Sequence, residues 1–410
     1  MVLPEGWSIQ RLDDLALVER GKFSARPRND PRFFGGDTPF VQTGDVTGAG
    51  TYLKSFTQTL NGEGVKVSKV FPSQTILITI AANIGETAIT EFEVACPDSV
   101  VAVQPYASKA DTYWLKKLIE TKQEDLDAQA TQNAQKNINL QVLKPLAILT
   151  PPLPEQKKIA QILSTWDQAI TATERLLENS QQRKKGLMQQ LLTGKKRLPG
   201  FEGEWRTVEL GSLGSTYSGL SGKTKEDFGT GEPFVTYMGV FSDSAIKTDR
   251  FDYVRLSEGE SQNKVQYGDI LFTTSSETPE EVGMASVLLE DLPYNLYLNS
   301  FCFGFRPSSF EELVPEYARY VFRGEEMRRR ISALAQGATR YNLSKKQLVK
   351  LDILLPGKAE QEAISHVLAT SDMEISAVRH RLVYLREEKK ALMQQLLTGK
   401  RRVNVETEAA

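Results

Sequence analysis

The sequence predicts an α+β protein. Two mixed α/β domains are joined by two long helices that pair as an antiparallel coiled coil, and the whole is an internal duplication with pseudo-twofold symmetry. Three observations predict this. The run Lys184-Lys185-Gly186-Leu187-Met188-Gln189-Gln190-Leu191-Leu192-Thr193-Gly194-Lys195 returns almost unchanged at Lys389-Lys390-Ala391-Leu392-Met393-Gln394-Gln395-Leu396-Leu397-Thr398-Gly399-Lys400. Aligned without a gap, residues 155–197 match 360–402 at 21 of 43 positions, at an offset of 205 in a chain of 410; such a repeat governs how the rest is read. Strand-like runs also recur in the same order in both halves.

The repeated stretch reads as a long helix. Apolar residues fall on a seam that steps alternately by four and three: Ile159, Leu163, Trp166, Ile170, Leu177, Leu187 and Leu191 in the first copy. The second copy carries Ile364, Leu368, Ile375, Val378, Leu382, Leu385, Leu392 and Leu396. A seam repeating every 3.5 residues is the signature of a coiled coil. Prolines precede each helix (Pro151, Pro152 and Pro154; Pro356), and each ends in a Thr-Gly pair followed by cations. Glycine suits the left-handed position past a helix C-terminus, and cations suit the negative end of its dipole. A helix of about 38 residues is about 57 Å long, more than a single domain needs internally, so the seams are expected to meet each other.

The first half opens with Trp7, Leu12 and Leu15, and the second with Trp205, Leu210 and Leu213 at the same spacing. Pro39-Phe40-Val41 answers Pro233-Phe234-Val235, and the run from Ile76 answers the run from Ile270. Ser99-Val100-Val101 is set against Ser300-Phe301-Cys302. These short β-branched and aromatic runs between Gly, Asn and Asp turns read as strands. Each half then turns helical, passes a polar loop and a last strand, and enters the long helix. The expected division is a first domain at 1–150, a long helix at 151–197, a second domain at 198–355, a second long helix at 356–402 and a disordered tail at 403–410.

Composition excludes several classes. With 50 Lys and Arg against 52 Asp and Glu the net charge is −2, which argues against a solitary strong nucleic-acid binder but allows local basic faces. No window is apolar enough for a membrane span, and no signal peptide is visible. Cys96 and Cys302 sit in apolar runs and are expected to be buried thiols in a cytoplasmic protein. No metal site is expected, because no Cys or His spacing fits zinc and both histidines, His366 and His380, fall on the second long helix. No catalytic residue is expected either. Gly222-Lys223-Thr224 lacks the upstream glycine of a phosphate loop, there is no glycine-rich cofactor fingerprint, and no Asn/Asp-Pro-Pro-aromatic tetrad of an amino-methyltransferase.

What remains is binding chemistry. Lys22, Arg26, Arg28 and Arg32 crowd a loop with Phe23, Phe33 and Phe34, and Lys223 and Lys225 occupy the comparable place in the second half. Gln135, Lys136 and Asn137 end one polar loop; Arg340, Tyr341 and Asn342 end the other. Such side chains contact phosphates and base edges. An ordinary solvated surface explains any one of them; their clustering at equivalent places in both halves favours DNA.

The stretch Pro151-Pro152-Leu153-Pro154-Glu155-Gln156-Lys157-Lys158-Ile159-Ala160, the run 187–195, its counterpart from Glu360-Gln361 to Lys400, and the Trp-x4-Leu domain openings resemble the specificity (S) subunit of type I restriction–modification systems. The likeness spans essentially the whole chain, though Leu355-Pro356-Gly357-Lys358-Ala359 departs from the proline-rich first copy. The resemblance implies a non-catalytic subunit whose two target-recognition domains each read one half of a split, asymmetric double-stranded DNA site. It implies helices that set the gap and dock two modification (M) subunits carrying S-adenosylmethionine. It further implies restriction (R) subunits using ATP and Mg, and no cofactor in this chain. The competing reading is a non-catalytic dimerisation scaffold that binds proteins; a self-contained restriction enzyme would need motifs that are missing.

Overall fold

The structure is a computed structural model and describes residues 3–81, 83–130, 137–337 and 339–405. The chain divides into two compact units, one formed by 1–173 with 381–410 and the other by 174–380. The last part of the second long helix therefore belongs to the first unit, and the last part of the first long helix to the second.

In the first unit a five-stranded sheet runs in the order Ala16–Arg20, Val100–Pro105, Ile76–Thr79, Thr87–Thr90, Tyr52–Leu53. Its pairs are antiparallel except the last. The central strand is buried at every position, which is why it reads as an unbroken apolar run instead of an alternation. Its two faces serve two cores. Ile76 and Ile78 join Val101, Val103 and Trp114 of the helix Thr112–Glu120. Leu77 turns the other way, with Val100 and Ala102, towards Val41, Val46 and Phe71. A second, four-stranded sheet, Gln58–Leu60, Phe34–Phe40, Val94–Ala95, Val70–Phe71, lies on that side.

The second unit repeats the scheme. Gly214–Ser218, Cys302–Pro307, Ile270–Thr273 and Ala285–Val287 form a four-stranded antiparallel sheet. Ile270 and Phe272 face one core with Phe303 and Phe305, while Leu271 faces the other with Cys302. Ladder geometry corrects one correspondence between the halves. The Ile80 amide donates to the Ser99 carbonyl, and the Thr274 amide to the Phe301 carbonyl. Ser99 thus matches Phe301, one residue beyond Ser300. Both cysteines are free and buried, and burial pushes each thiol up to about 12.

The long helices span Leu153–Leu191 and Lys358–Leu396, 39 residues each. All the seam residues named above are buried or half-buried. In the first unit Ile159 and Leu163 of one helix share a core with Leu396 and Leu392 of the other. In the second unit Leu191 and Leu187 share one with Ile364 and Leu368. Numbers rise along one helix as they fall along its neighbour, so the pairing is antiparallel. Gly194 and Gly399 end the helices at φ 69° and 68°, as the Thr-Gly pairs predict. His366 and His380 are exposed on the second helix.

Two kinds of polar junction tie the helices, each occurring once per unit. In the first unit Glu155 is 3% exposed and receives Arg402 Nε at 2.7 Å and Nη2 at 2.8 Å. The Trp7 indole also donates to it at 3.0 Å. In the second, Glu360 is 4% exposed and receives Arg197 at 2.5 and 2.7 Å and the Trp205 indole at 3.1 Å. A bidentate guanidinium plus an indole satisfies most of the buried carboxylate's acceptor capacity. The next residue docks the helix start on its own domain. Gln156 donates to the Lys109 and Pro151 carbonyls and accepts from the Asp111 amide; Gln361 does the same with Glu312, Pro356 and Val314.

The second junction is an aspartate. Asp167 takes Lys389 across the helix pair, with Lys117 at 3.1 Å, Tyr113 at 2.6 Å and Thr51 at 2.9 Å. Asp372 takes Lys184 at 2.5 Å, Tyr320 at 2.8 Å and Arg319 at 3.3 Å. Burial alone would raise the Asp167 carboxyl, but Lys117, Lys389 and the Tyr113 hydroxyl overcome it and hold it well below its ordinary 3.8. The unfolded carboxyl therefore takes up its proton first as pH falls, and the stability it contributes is complete above about pH 5 and lost progressively below 3.8. Asp167→Asn should cost about 2–3 kcal/mol at pH 7. In thermal melts between pH 7 and pH 3 that deficit should shrink on the acid side.

Candidate functional site

In the first unit the basic loop rests on an aromatic base. Phe23 lies 4.9 Å from Phe40, 5.7 Å from Phe34 and 6.1 Å from Phe33, ring centre to ring centre. Asn61 pins the loop by donating to the Arg32 and Phe34 carbonyls at 2.9 and 3.1 Å. The packed rings fix the backbone, and Lys22, Arg26, Arg28 and Arg32 project from it, all exposed. Two are partly neutralised: Arg28 meets Asp98 at 2.8 Å and Arg32 meets Asp30 at 2.9 Å, both on the surface. Lys22 and Arg26 have no carboxylate partner among the described residues. Such exposed pairs contribute little to stability.

The second unit treats its lysines differently. Lys225 is exposed. The Lys223 side chain is 7% exposed, bound to Glu260 at 2.5 Å and to the Arg255 carbonyl at 2.8 Å. Lys223 closes a loop and does not face outwards. Glu260 is held down to about 2, chiefly by that lysine and by the Ser257 amide.

The residues that close the polar loops occupy equivalent places beside the central sheets. Asn137 bridges to Ala81, and Ile138 donates to the Ile80 carbonyl at 3.0 Å. Gln135 and Lys136 lie outside the described residues. In the second unit Tyr341 and Asn342 pair with Ser276 and Ser275, and Leu343 donates to the Thr274 carbonyl at 2.8 Å. Gln336 and Asn342 exchange amide bonds, an antiparallel bridge at the base of the loop. Gly337 turns it at φ 138°, where a Cβ would sit 2.0 Å from the Arg340 carbonyl oxygen; only glycine fits. Arg340 is exposed at its tip and lines a concavity with Tyr237, Phe241, Glu277 and Glu281.

Two arginines that the sequence does not single out are internal struts. Arg323 donates to the carbonyls of Ala285, Val240, Phe241 and Asp243 at 2.6–2.9 Å. Arg328 donates to those of Gly283, Glu280 and Val282. They hold the end of the helix Tyr237–Ser242 and the loop at 280–283, which flank the concavity. Burial pushes both guanidinium groups down to about 10. The long-helix cations divide in the same way: Lys184, Arg197, Lys389 and Arg402 are spent in the junctions above. Among the described residues no cluster of His, Cys, Asp and Glu could hold a metal ion, and no helix is long and apolar enough to cross a membrane.

Comparison with known proteins matches this arrangement. The family model for the type I restriction modification DNA specificity domain matches residues 4–179 and 202–382, one copy in each half. The chain belongs to that family and is a non-catalytic type I restriction–modification specificity subunit. Among its relatives, the putative type I restriction enzyme MjaX specificity subunit of Methanocaldococcus jannaschii is 26% identical, over 98% of this chain and 95% of that protein. The MjaVIII specificity subunit of the same organism is 25% identical, over 98% and 94%. In fold, the chain is similar to the type I restriction-modification S subunit from M. genitalium, with TM-score 0.57 at 15% identity over 97% and 98% of the two chains. A chain from a study of complex assembly and conformational transition of the type I R-M system gives TM-score 0.63 at 19% identity, over 98% and 100%.

The struts make a direct prediction. Arg323→Met strips four carbonyls of their donor and should destabilise the second unit by about 3 kcal/mol. That corresponds to a fall in melting midpoint of roughly 6–12 °C. Arg329→Met, which removes only a surface pair with Glu326, should move it by less than about 1–2 °C.

Proposed function

We propose that each recognition domain reads one half of a bipartite, asymmetric DNA site, and that the paired helices set the unread gap and dock two modification subunits. Those partners supply S-adenosylmethionine and methylate adenine; restriction subunits with ATP and Mg add cleavage. One observation carries the reading. The two units share the same carboxylate–arginine–tryptophan and aspartate–lysine junctions, yet differ in the side chains on their equivalent loops. A constant frame with exchanged outward residues is what two different half-sites on roughly two-fold-related stretches of duplex require.

The roles divide by chemistry. Lys22 and Arg26, exposed and without a carboxylate partner among the described residues, contact phosphates, as do Arg28, Arg32 and Lys225. Arg340, beside carboxylates, reads a base edge, with Tyr341 and Asn342 at its side; Asn137 holds the equivalent place in the first unit. Binding needs the modification subunits, because a net charge of −2 gives this chain little general attraction to DNA.

The deciding experiment is footprinting of the complex assembled with its modification subunit. Two protected tracts separated by a constant gap are expected; one continuous tract would refute the proposal. Inserting one heptad into each long helix, after Arg175 and after His380, adds about 10.5 Å of helix. The preferred gap should then lengthen by about three base pairs with both half-sites unchanged, read by selection from a duplex library. Arg340→Ala should cost about 1–3 kcal/mol in DNA binding and relax one base position. Lys22→Ala should weaken all sequences alike and lower the salt slope by about one.

A further inference from the structure

The concavity under Arg340 encloses about 310 Å³. Met238 and Phe301 line it, and they are 57% and 59% exposed. Large apolar side chains so exposed, and adjacent, call for a reason. The first unit shows that the fold does not supply one. Ser99 holds the place of Phe301, by the matching amide bonds from Ile80 and Thr274. The helix Thr43–Thr47 holds the place of Tyr237–Ser242, each following the equivalent strand, Phe34–Phe40 or Phe228–Val235. Gly44 therefore stands where Met238 does. The same scaffold closes with a serine and a glycine at these positions, so packing does not demand the phenylalanine and the methionine.

The chemistry around them narrows what they meet. Glu277 and Glu281 share the concavity, and two carboxylates repel a phosphate backbone, so this is not a track for the strand. Arg340 offers a planar fork that fits guanine O6 and N7. A carboxylate accepts from a cytosine amine. Phe301 carries no donor or acceptor atom, and the Met238 thioether is only a weak acceptor. The one apolar feature on a major-groove base edge is the thymine 5-methyl group. We propose that Met238 and Phe301 read the 5-methyl of a thymine in the half-site taken by the second unit, next to the base contacted by Arg340. This rests on the DNA-recognition role proposed above.

The test uses the full chain assembled with its modification subunit. The recognised motif is first selected from a random duplex library. Each thymine of the motif is then replaced in turn by deoxyuridine, which lacks only the methyl. At one thymine the replacement should weaken binding about 3- to 5-fold, the effect of one buried methyl. Phe301→Ser, which installs the residue the first unit carries, should weaken the thymine duplex by a similar factor and abolish the thymine–uracil difference. The same difference should persist in Lys22→Ala. A motif without thymine in that half, no uracil effect at any thymine, or an undiminished effect in Phe301→Ser would overturn the proposal while leaving the bipartite reading intact. So would loss of the modification subunit from Phe301→Ser, which would assign the patch to a protein surface. If no motif is selected at all, the DNA-recognition role itself fails, and the thymine contact with it.

Discussion

The structure depends on a buried carboxylate that must find a cation from a distant part of the chain. Glu155 and Glu360 open the two long helices and are nearly inaccessible to water. An unpaired charge there would cost several kcal/mol. Each is matched by an arginine just past the end of the other long helix, and the match holds only for antiparallel helices in one register. The opening tryptophan of each domain completes the shell. A slip of one turn along the pair would strand both carboxylates, and Asp167 and Asp372 with them. Hydrophobic seams bring helices together with some tolerance of register; these charged junctions remove the tolerance.

This explains which residues the two copies of the repeat share. Glu-Gln at the helix start serves the arginine junction and the docking on the domain. The shared aspartate and lysine make the second junction, the shared leucines fill the two cores, and the terminal Gly and Arg end the helix and close the first junction. Residues that differ between the copies, such as Trp166 and Ser371 or Leu176 and Arg381, stand at places that bear no such polar contact. The basic loop at 22–32 and residues 340–342 carry no part of this network, which leaves them free to differ. That freedom is what a recognition surface needs.

The fold was legible where a short period repeats. The 3.5-residue seam, the proline before and the Thr-Gly after each helix, and the fully apolar central strands all appear in the structure at or within a residue or two of their expected places. The antiparallel pairing was legible because a duplication supplies its own partner. Contacts between residues far apart in sequence were not. Lys223 looked like its counterparts in the first basic loop, but its partner Glu260 sits on another loop and draws it inwards. Arg323 and Arg328 give no sign in the sequence of their role, because nothing local says that their heads meet carbonyl groups. The one-residue offset between Ser99 and Phe301 is set by the ladder, where amide bonds define partners independently of side-chain likeness. Phe301 itself would have stood out had the halves been aligned through their strands, as an aromatic opposite a serine at an exposed turn.

The division of the chain has a consequence for how the protein is made. The second unit is a continuous stretch, 174–380, whereas the first needs 381–410 as well. During synthesis the N-terminal domain emerges early but lacks the helix end bearing Leu392, Leu396 and Arg402, and so leaves Glu155 and the apolar flank of Ile159 and Leu163 uncovered. The later-made unit can close before the earlier one. The segment that seals the first unit is thus made only after the second unit is complete, and a ribosome halted between His380 and Arg402 would release a molecule with one finished half and one open half.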